Sequence, residues 1–274
     1  MFNANVSASD AAFVRELVRR RSAISLDESK HYLIETRLID VAREAGFDSI
    51  ADLLAAVRRS AGTMDVKIVE ALTTHETSFF RDAAPFEALK NAVLPTLART
   101  RSATRMLTIW CAACSSGQEP YTIAMMLNEH FPELAGWPVR IIGTDISESI
   151  LAKARTGTFR QLEVNRGLPA SYLTKYFHRS GLDWQVAPHI RSMVEFRNLN
   201  LLDPFGSLRP DIVFMRNVLI YFENATKKNI LERVRSILAK DGVLFLGSAE
   251  TTMGVDEAWE RVSYERTVYF KVKP

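Results

Sequence analysis

From Leu107 onward the sequence alternates short apolar runs with amphipathic helical stretches, and this alternation leaves few folds open. Leu107-Thr108-Ile109-Trp110 reads as a strand, a helix starts at Pro120, and residues 139–144 read as a second strand ending at Asp145. Ser147 caps a short helix carrying Ile150 and Leu151. Residues 194–196, 211–215, 243–246 and 267–270 read as further strands, and Asn224 caps a helix that stops at Asp241-Gly242. Strands and helices in this order build an α/β, doubly wound, Rossmann-like sheet.

The first 80 residues have a different character. Ser9 or Asp10 can cap a helix with Phe13, Val14, Leu17 and Val18 on one face. A second helix is expected over 26–45, with Leu33, Ile34, Leu38 and Val41 inward and Gly46 at its end. A third starts at Asp48 or Ser49 and ends near Ser60-Ala61-Gly62, and a fourth covers 63–73. No period-two pattern occurs here. The expected organisation is therefore a helical domain over 1–80, a linker helix within 81–100, and the α/β domain over 101–274. One segment of that domain, about 158–193, breaks the rhythm. It has a short helix near 171–176 and alternating pieces at 182–186 and 190–193, and it reads as a small inserted β-subdomain.

Composition fits this plan. The chain has 274 residues, of which 47% are apolar and 24% charged, so a sizeable core can form. A net charge of +3 is too small to argue for nucleic acid. Neither a secretory leader nor a membrane-spanning run is visible, so a cytoplasmic protein with reduced cysteines is expected.

The stretch Trp110-Cys111-Ala112-Ala113-Cys114 could be a thiol redox site. Against that, the helix signal at Pro120 lies six residues beyond Cys114. Two cysteines with no histidine nearby also make no zinc site, and no metal is expected. A cofactor loop fits better. In open α/β sheets ligands bind outside the carboxyl ends of the strands, and a loop that lets the backbone approach a ligand needs small side chains. Residues 112–117 supply six in a row. Asp145, ending the next strand, can accept both ribose hydroxyl protons of an adenosine. The glycine fingerprint of dinucleotide folds is absent, and Glu119 would repel a pyrophosphate but suit a ligand with an amino group. S-adenosylmethionine has the adenosine, an ammonium and a sulfonium. The cysteines then read as small buried fillers.

Six stretches in order, LTTHETSFFRD (72–82), IWCAACSSGQEPYTIAM (109–125), IIGTDIS (141–147), LNLLDP (199–204), FMRNVLIYF (214–222) and GVLFLGSAET (242–251), resemble the CheR-type chemotaxis receptor methyltransferases over essentially the whole length. The resemblance implies an S-adenosylmethionine-dependent protein-glutamate O-methyltransferase that modifies the cytoplasmic helical bundle of a methyl-accepting chemoreceptor. It implies His75, Thr77 and Arg81 at the cofactor, Glu119 on the methionine amino group and Asp145 on the ribose. Asn200 and Leu201 would flank the adenine, and Arg216 and Asn217 would line the pocket. Arg81 and Tyr221 would face the reacting centre as the catalytic pair. The family often has Asn where His75 stands. The helix around Arg37 and Arg43 would meet the receptor, although Asp40 interrupts its basic face. Some members dock a receptor C-terminal peptide on the inserted subdomain, but the short segment here gives no ground to assume it. The chain is expected to act as a monomer that reaches the membrane only through the receptor. The alternatives are a methyltransferase of the same fold acting on another protein, and a cofactor-binding signalling module without turnover.

Overall fold

The computed structural model describes residues 4–60, 62–134 and 136–274. It divides into two compact units, one running through Thr74 with Tyr221–Thr226, the other comprising His75–Ile220 and Lys227–Pro274.

Among the described residues the first unit contains four α-helices, α1 Ala8–Ser22, α2 His31–Glu44, α3 Ile50–Arg59 and α4 Thr63–Leu72. The apolar periodicity maps largely onto burial: Val14, Leu17 and Val18 of α1, Ile34 and Leu38 of α2, and Ile68 and Val69 of α4 are buried, whereas Phe13, Leu33 and Val41, expected to face inward, are only half-buried. Ser7, not Ser9 or Asp10, caps α1, its hydroxyl accepting the Asp10 N–H at 3.1 Å. The acid at Asp10 instead sits in the first turn, where it opposes the positive end of the helix dipole. The second helix also starts later than its pattern suggests, because Asp27 caps a separate 3₁₀ turn over Glu28–Lys30. Ser49 caps α3, accepting the Asp52 N–H at 3.0 Å. That helix ends at Arg59, and the Ala61 of its expected end lies outside the described residues. Arg37 turns its guanidinium onto the end of α4, donating to the carbonyls of Ala71 at 3.2 Å and Thr73 at 2.6 Å.

The second unit opens with a helical stretch over Ala84–Ala88, Leu89–Val93 and Leu94–Thr100. Its middle section is a π turn in which the Leu94 N–H reaches back to the Leu89 carbonyl, just before Pro95, which has no N–H to offer. Ten strands follow among the described residues: β1 Leu107–Ala112, β2 Val139–Asp145, β3 Thr158–Phe159, β4 Phe177–Ser180, β5 Asp183–Val186, β6 Val194–Asn198, β7 Ile212–Met215, β8 Val243–Leu246, β9 Trp259–Tyr264 and β10 Thr267–Val272. Seven form one sheet in the order β6-β2-β1-β7-β8-β10-β9. The first five positions are parallel, while β10 runs antiparallel to both β8 and β9. Strand β9 had no counterpart in the sequence reading, because its outward residues are charged and only Trp259 is buried.

The central strands are buried on both faces, as parallel sheets require. Tyr121, Met125 and Phe214 join Ile109 and Cys111 in one core, while the Trp110 ring meets Phe205 edge-on at 4.9 Å.

The inserted segment forms a second sheet, β3-β5-β4. The hairpin is made by β4 and β5, so the expected strand over 190–193 is corrected. Pro188 fixes the backbone for a helical start and begins a turn, Pro188–Arg191, in its place. The helix after β1 also starts earlier than Pro120. It runs over Gln118–His130, with Gly117 before it at φ 93°. A side chain at Gly117 would meet the Phe196 ring at 3.1 Å, so both conformation and space call for glycine. Among the described residues no helix is long and apolar enough to cross a membrane.

Candidate functional site

In the order β6-β2-β1-β7-β8 the direction of chain progression reverses between β1 and β7. A crevice outside the carboxyl ends of the strands is expected at such a switch point. Three loops of the second unit end there, after β1, β2 and β7. Backbone strain concentrates in the same region. Of the eight non-glycine residues with positive φ among the described residues, Phe80, Asp82, Ala113, Ser115 and Asn217 fall in the expected site segments. Left-handed backbone on residues with a Cβ is retained where the surrounding structure enforces it, and it clusters at functional sites.

The loop after β1 is tied to the end of β2. The Ser115 N–H donates to Asp145 Oδ2 at 2.9 Å and the Ser147 N–H to Oδ1 at 3.0 Å. A carboxylate has about four lone-pair sites, so Asp145 can still receive a ribose hydroxyl beside these backbone donors. Burial pushes the Asp145 carboxyl up, and the Ser147 and Ser115 N–H bonds oppose it. The Ser115 hydroxyl donates to the His75 carbonyl at 2.8 Å, which brings the 75–81 segment to this loop.

Arg216 follows β7 and is the other fixed point. Its side chain is only 2% exposed, and it pairs with Glu119 Oε2 at 2.9 Å and Asp82 Oδ2 at 2.8 Å. It also donates to the Arg81 carbonyl at 2.8 Å. Its Nε is buried with no partner. Burial raises the Glu119 carboxyl, and Arg216 pulls it back. The two carboxylates and one guanidinium leave a net negative charge, a set that accommodates a cationic ligand. Glu119, assigned to a ligand amino group, thus has a protein partner as well.

The remaining residues are placed as follows. The Arg81 guanidinium donates to the Glu76 carbonyl at 3.0 Å, and Glu76 is ion-paired with Arg166. Thr77 and His75 are half-buried on the same segment. Asn200 folds its side-chain oxygen back onto the Leu202 N–H at 3.0 Å, and Leu201 is buried. The Leu199 N–H donates to the Asp145 carbonyl at 2.9 Å, which ties this adenine-side loop to the end of β2. Asn217 sits at φ 59°. Tyr221 groups with the helical unit, where its carbonyl accepts the Ser25 N–H at 3.0 Å.

Sequence reasoning missed Ser115 as the link between two site segments, and Asp82 as a partner of Arg216. The signal for Asp82 was its place directly after Arg81 in the quoted motif. Ser115 was visible only as one small residue among six. Cys111 and Cys114 are buried free thiols whose pKa burial pushes well up, the opposite of what a reactive thiolate needs. Among the described residues, no group of three or more His, Cys, Asp or Glu is placed to hold a metal ion.

Comparison with known proteins agrees in extent with the two units. Residues 9–73 match the family described as "CheR methyltransferase, all-alpha domain", and residues 75–268 match "CheR methyltransferase, SAM binding domain". The chain is 40% identical to "Chemotaxis protein methyltransferase Cher2" of Pseudomonas putida, covering 94% of this chain and 96% of that one. It is 39% identical to "Chemotaxis protein methyltransferase 1" of Pseudomonas aeruginosa, covering 98% and 100%. It is 35% identical to "Chemotaxis protein methyltransferase" of Borreliella burgdorferi, covering 92% and 91%.

Proposed function

Because the chain belongs to the CheR methyltransferases and is an S-adenosylmethionine-dependent enzyme, we propose that it methylates glutamate side chains on the cytoplasmic helical bundle of a chemoreceptor. In this reading it works in the cytoplasm as a monomer, and its output is sensory adaptation in chemotaxis. The observation that carries the cofactor half is the Asp145 carboxylate, held by Ser115 and Ser147 N–H groups beside a left-handed, small-residue loop.

A glutamate carboxylate is already ionised at neutral pH, with a pKa near 4.3, so it needs no general base. The sulfonium of the bound cofactor supplies an activated methyl group. What remains for the chain is to hold the reactants in line, and such positioning supplies on the order of 7–11 kcal/mol. Asp145 holds the ribose, Glu119 the amino group, and Asn200 and Leu201 flank the adenine. His75, Thr77 and Asn217 complete the pocket wall, and Arg216 keeps Glu119 in place. Arg81 orients the acceptor carboxylate and the Tyr221 hydroxyl positions one of its oxygens. A strong ground-state pairing of Arg81 with that carboxylate would oppose reaction, because charge is consumed as the ester forms. Its role is therefore orientation.

The test uses methyl-labelled S-adenosylmethionine and membranes carrying a chemoreceptor from the same cell. Label that transfers to the receptor and leaves as volatile methanol in mild alkali is a carboxyl methyl ester. Alkali-stable label on the receptor would overturn the glutamate assignment.

A further inference from the structure

The GSAET stretch at 247–251 has no role in the site described above, yet its Glu250 carboxylate accepts five backbone N–H groups. Glu250 Oε1 accepts the N–H groups of Val218 at 2.8 Å, Leu219 at 2.6 Å and Ile220 at 3.3 Å. Its Oε2 accepts those of Asn217 at 2.7 Å and Gly247 at 2.6 Å. Four of these five donors are consecutive. They belong to the loop that leaves β7 at Met215, where the sheet no longer supplies acceptors. Backbone N–H groups must find partners somewhere, and here one side chain from a different loop supplies them all.

We propose that Glu250 is a positioning residue for the cofactor site: it fixes the loop that carries Arg216 and Asn217. The inference rests on the reading that these two residues line the S-adenosylmethionine pocket. Three observations support it. Asn217 is held at φ 59°, a conformation that an L residue leaves unless it is constrained. Arg216, its neighbour, reaches Glu119 across the switch point at 2.9 Å, so a displaced loop would break that pair. Gly247 is shaped to the same arrangement. A Cβ there would lie 2.7 Å from Glu250 Oε2 and 2.9 Å from the Asn217 nitrogen, so any side chain would push the carboxylate from its seat. A carboxylate is the group this seat calls for, because it is acceptor-only, with about four lone-pair sites. A glutamine amide would turn N–H donors toward N–H donors on one side.

The experiment compares the wild-type chain with Glu250→Gln, Gly247→Ala, Asn217→Ala and the Glu250→Gln/Asn217→Ala double variant. It reads S-adenosylmethionine affinity by calorimetry and amide exchange at 217–220 by mass spectrometry. Expected for Glu250→Gln is faster exchange confined to the loop and affinity weaker by about tenfold, the scale of one lost buried hydrogen bond. Gly247→Ala should do the same without altering any charge. The double variant should bind about as weakly as the worse single variant, because both act through one loop. A carboxylate that merely stabilised the fold would instead raise exchange throughout the unit and give losses that multiply. Unchanged loop exchange, or affinity within about twofold of wild type, overturns the proposal. A wild-type chain that binds no S-adenosylmethionine overturns the cofactor reading instead, and loop exchange, which needs no ligand, still judges Glu250.

Discussion

The two units solve the same problem, satisfying backbone and charge in a folded chain, by opposite means. In the helical unit, the helix caps close within a few residues, and longer bonds such as Arg37 to the Thr73 carbonyl tie one helix to the next. Serines cap α1 and α3 from three positions away, and Ala23 is its one non-glycine residue with positive φ among those described. In the α/β unit the critical bonds join residues far apart in sequence, Ser115 with Asp145, Arg216 with Glu119 and Asp82, and Glu250 with 217–220. Strained backbone gathers where those bonds converge. Local satisfaction yields a scaffold, whereas long-range satisfaction with residual strain coincides with the site of the proposed function.

The sharpest way to break this contrast is Asp145→Ala. It removes the acceptor for two backbone donors and, in the proposed function, the ribose anchor. Binding of S-adenosylmethionine should weaken by about a hundredfold or more, the scale of one lost charge-assisted pair of hydrogen bonds. Calorimetry checks this, and affinity within a few-fold of wild type would sink the assignment.

A matched pair of variants comes next. Arg216→Met leaves Glu119 buried without its partner, and breaking a buried pair in this way costs about 3–5 kcal/mol. Arg21→Met in the helical unit leaves Asp65, 1% exposed, without its 2.7 Å partner. Because Arg21 itself is half exposed, the loss there should be smaller, about 1–3 kcal/mol. Thermal denaturation ranks the two. Only Arg216→Met should also weaken cofactor binding, and an equal effect of Arg21→Met on affinity would erase the distinction between the units.

The same contrast explains what was legible in the sequence. The helical unit follows from apolar spacing and caps, which are local signals, and its errors are shifts of a few residues, such as Ser7 for Ser9. The sheet was legible strand by strand because parallel strands buried on both faces are continuous apolar runs. Strand β9 escaped because it is an exposed antiparallel edge with charged residues. Asp145 and Glu119 could be proposed from the sequence because strand-end acids and a glycine-poor, small-residue loop are chemically specific. Asp82, Ser115 and Glu250 were not assigned roles, since nothing local reveals that Arg216 arrives from 134 residues away or that four amides lack acceptors until β7 has been placed.

Glu119 provides a smaller effect with a definite sign. Burial raises its carboxyl above the ordinary range in the free protein. In the proposed function a ligand ammonium stabilises the ionised form, so the carboxyl should fall when the cofactor binds. Affinity should therefore be full at neutral pH and decline as the pH drops through the raised pKa of the free protein, by at most about tenfold per pH unit for one proton. Glu119→Gln should flatten the profile. A steep acid decline that survives in Glu119→Gln would assign the proton elsewhere.

The smallest effects discriminate most finely, because they use one device in both units. Ser49 caps α3 through the Asp52 N–H at 3.0 Å, and Ser147 caps the helix Glu148–Thr156 through the Ile150 N–H at 3.2 Å. Replacing either hydroxyl by alanine should cost about 1 kcal/mol of stability, the usual worth of such a cap. The consequences then separate. The Ser49 hydroxyl bonds to Asp52 within the first turn of its own helix, so Ser49→Ala should leave S-adenosylmethionine affinity unchanged. The Ser147 N–H holds Asp145 Oδ1, and an uncapped helix start lets that amide drift from the carboxylate. Ser147→Ala should therefore add a few-fold loss of affinity to the same loss of stability, since a hydrogen bond to a charged group weakens steeply with misalignment. Equal affinities in the two variants would mean that the Asp145 carboxylate is held by Ser115 alone.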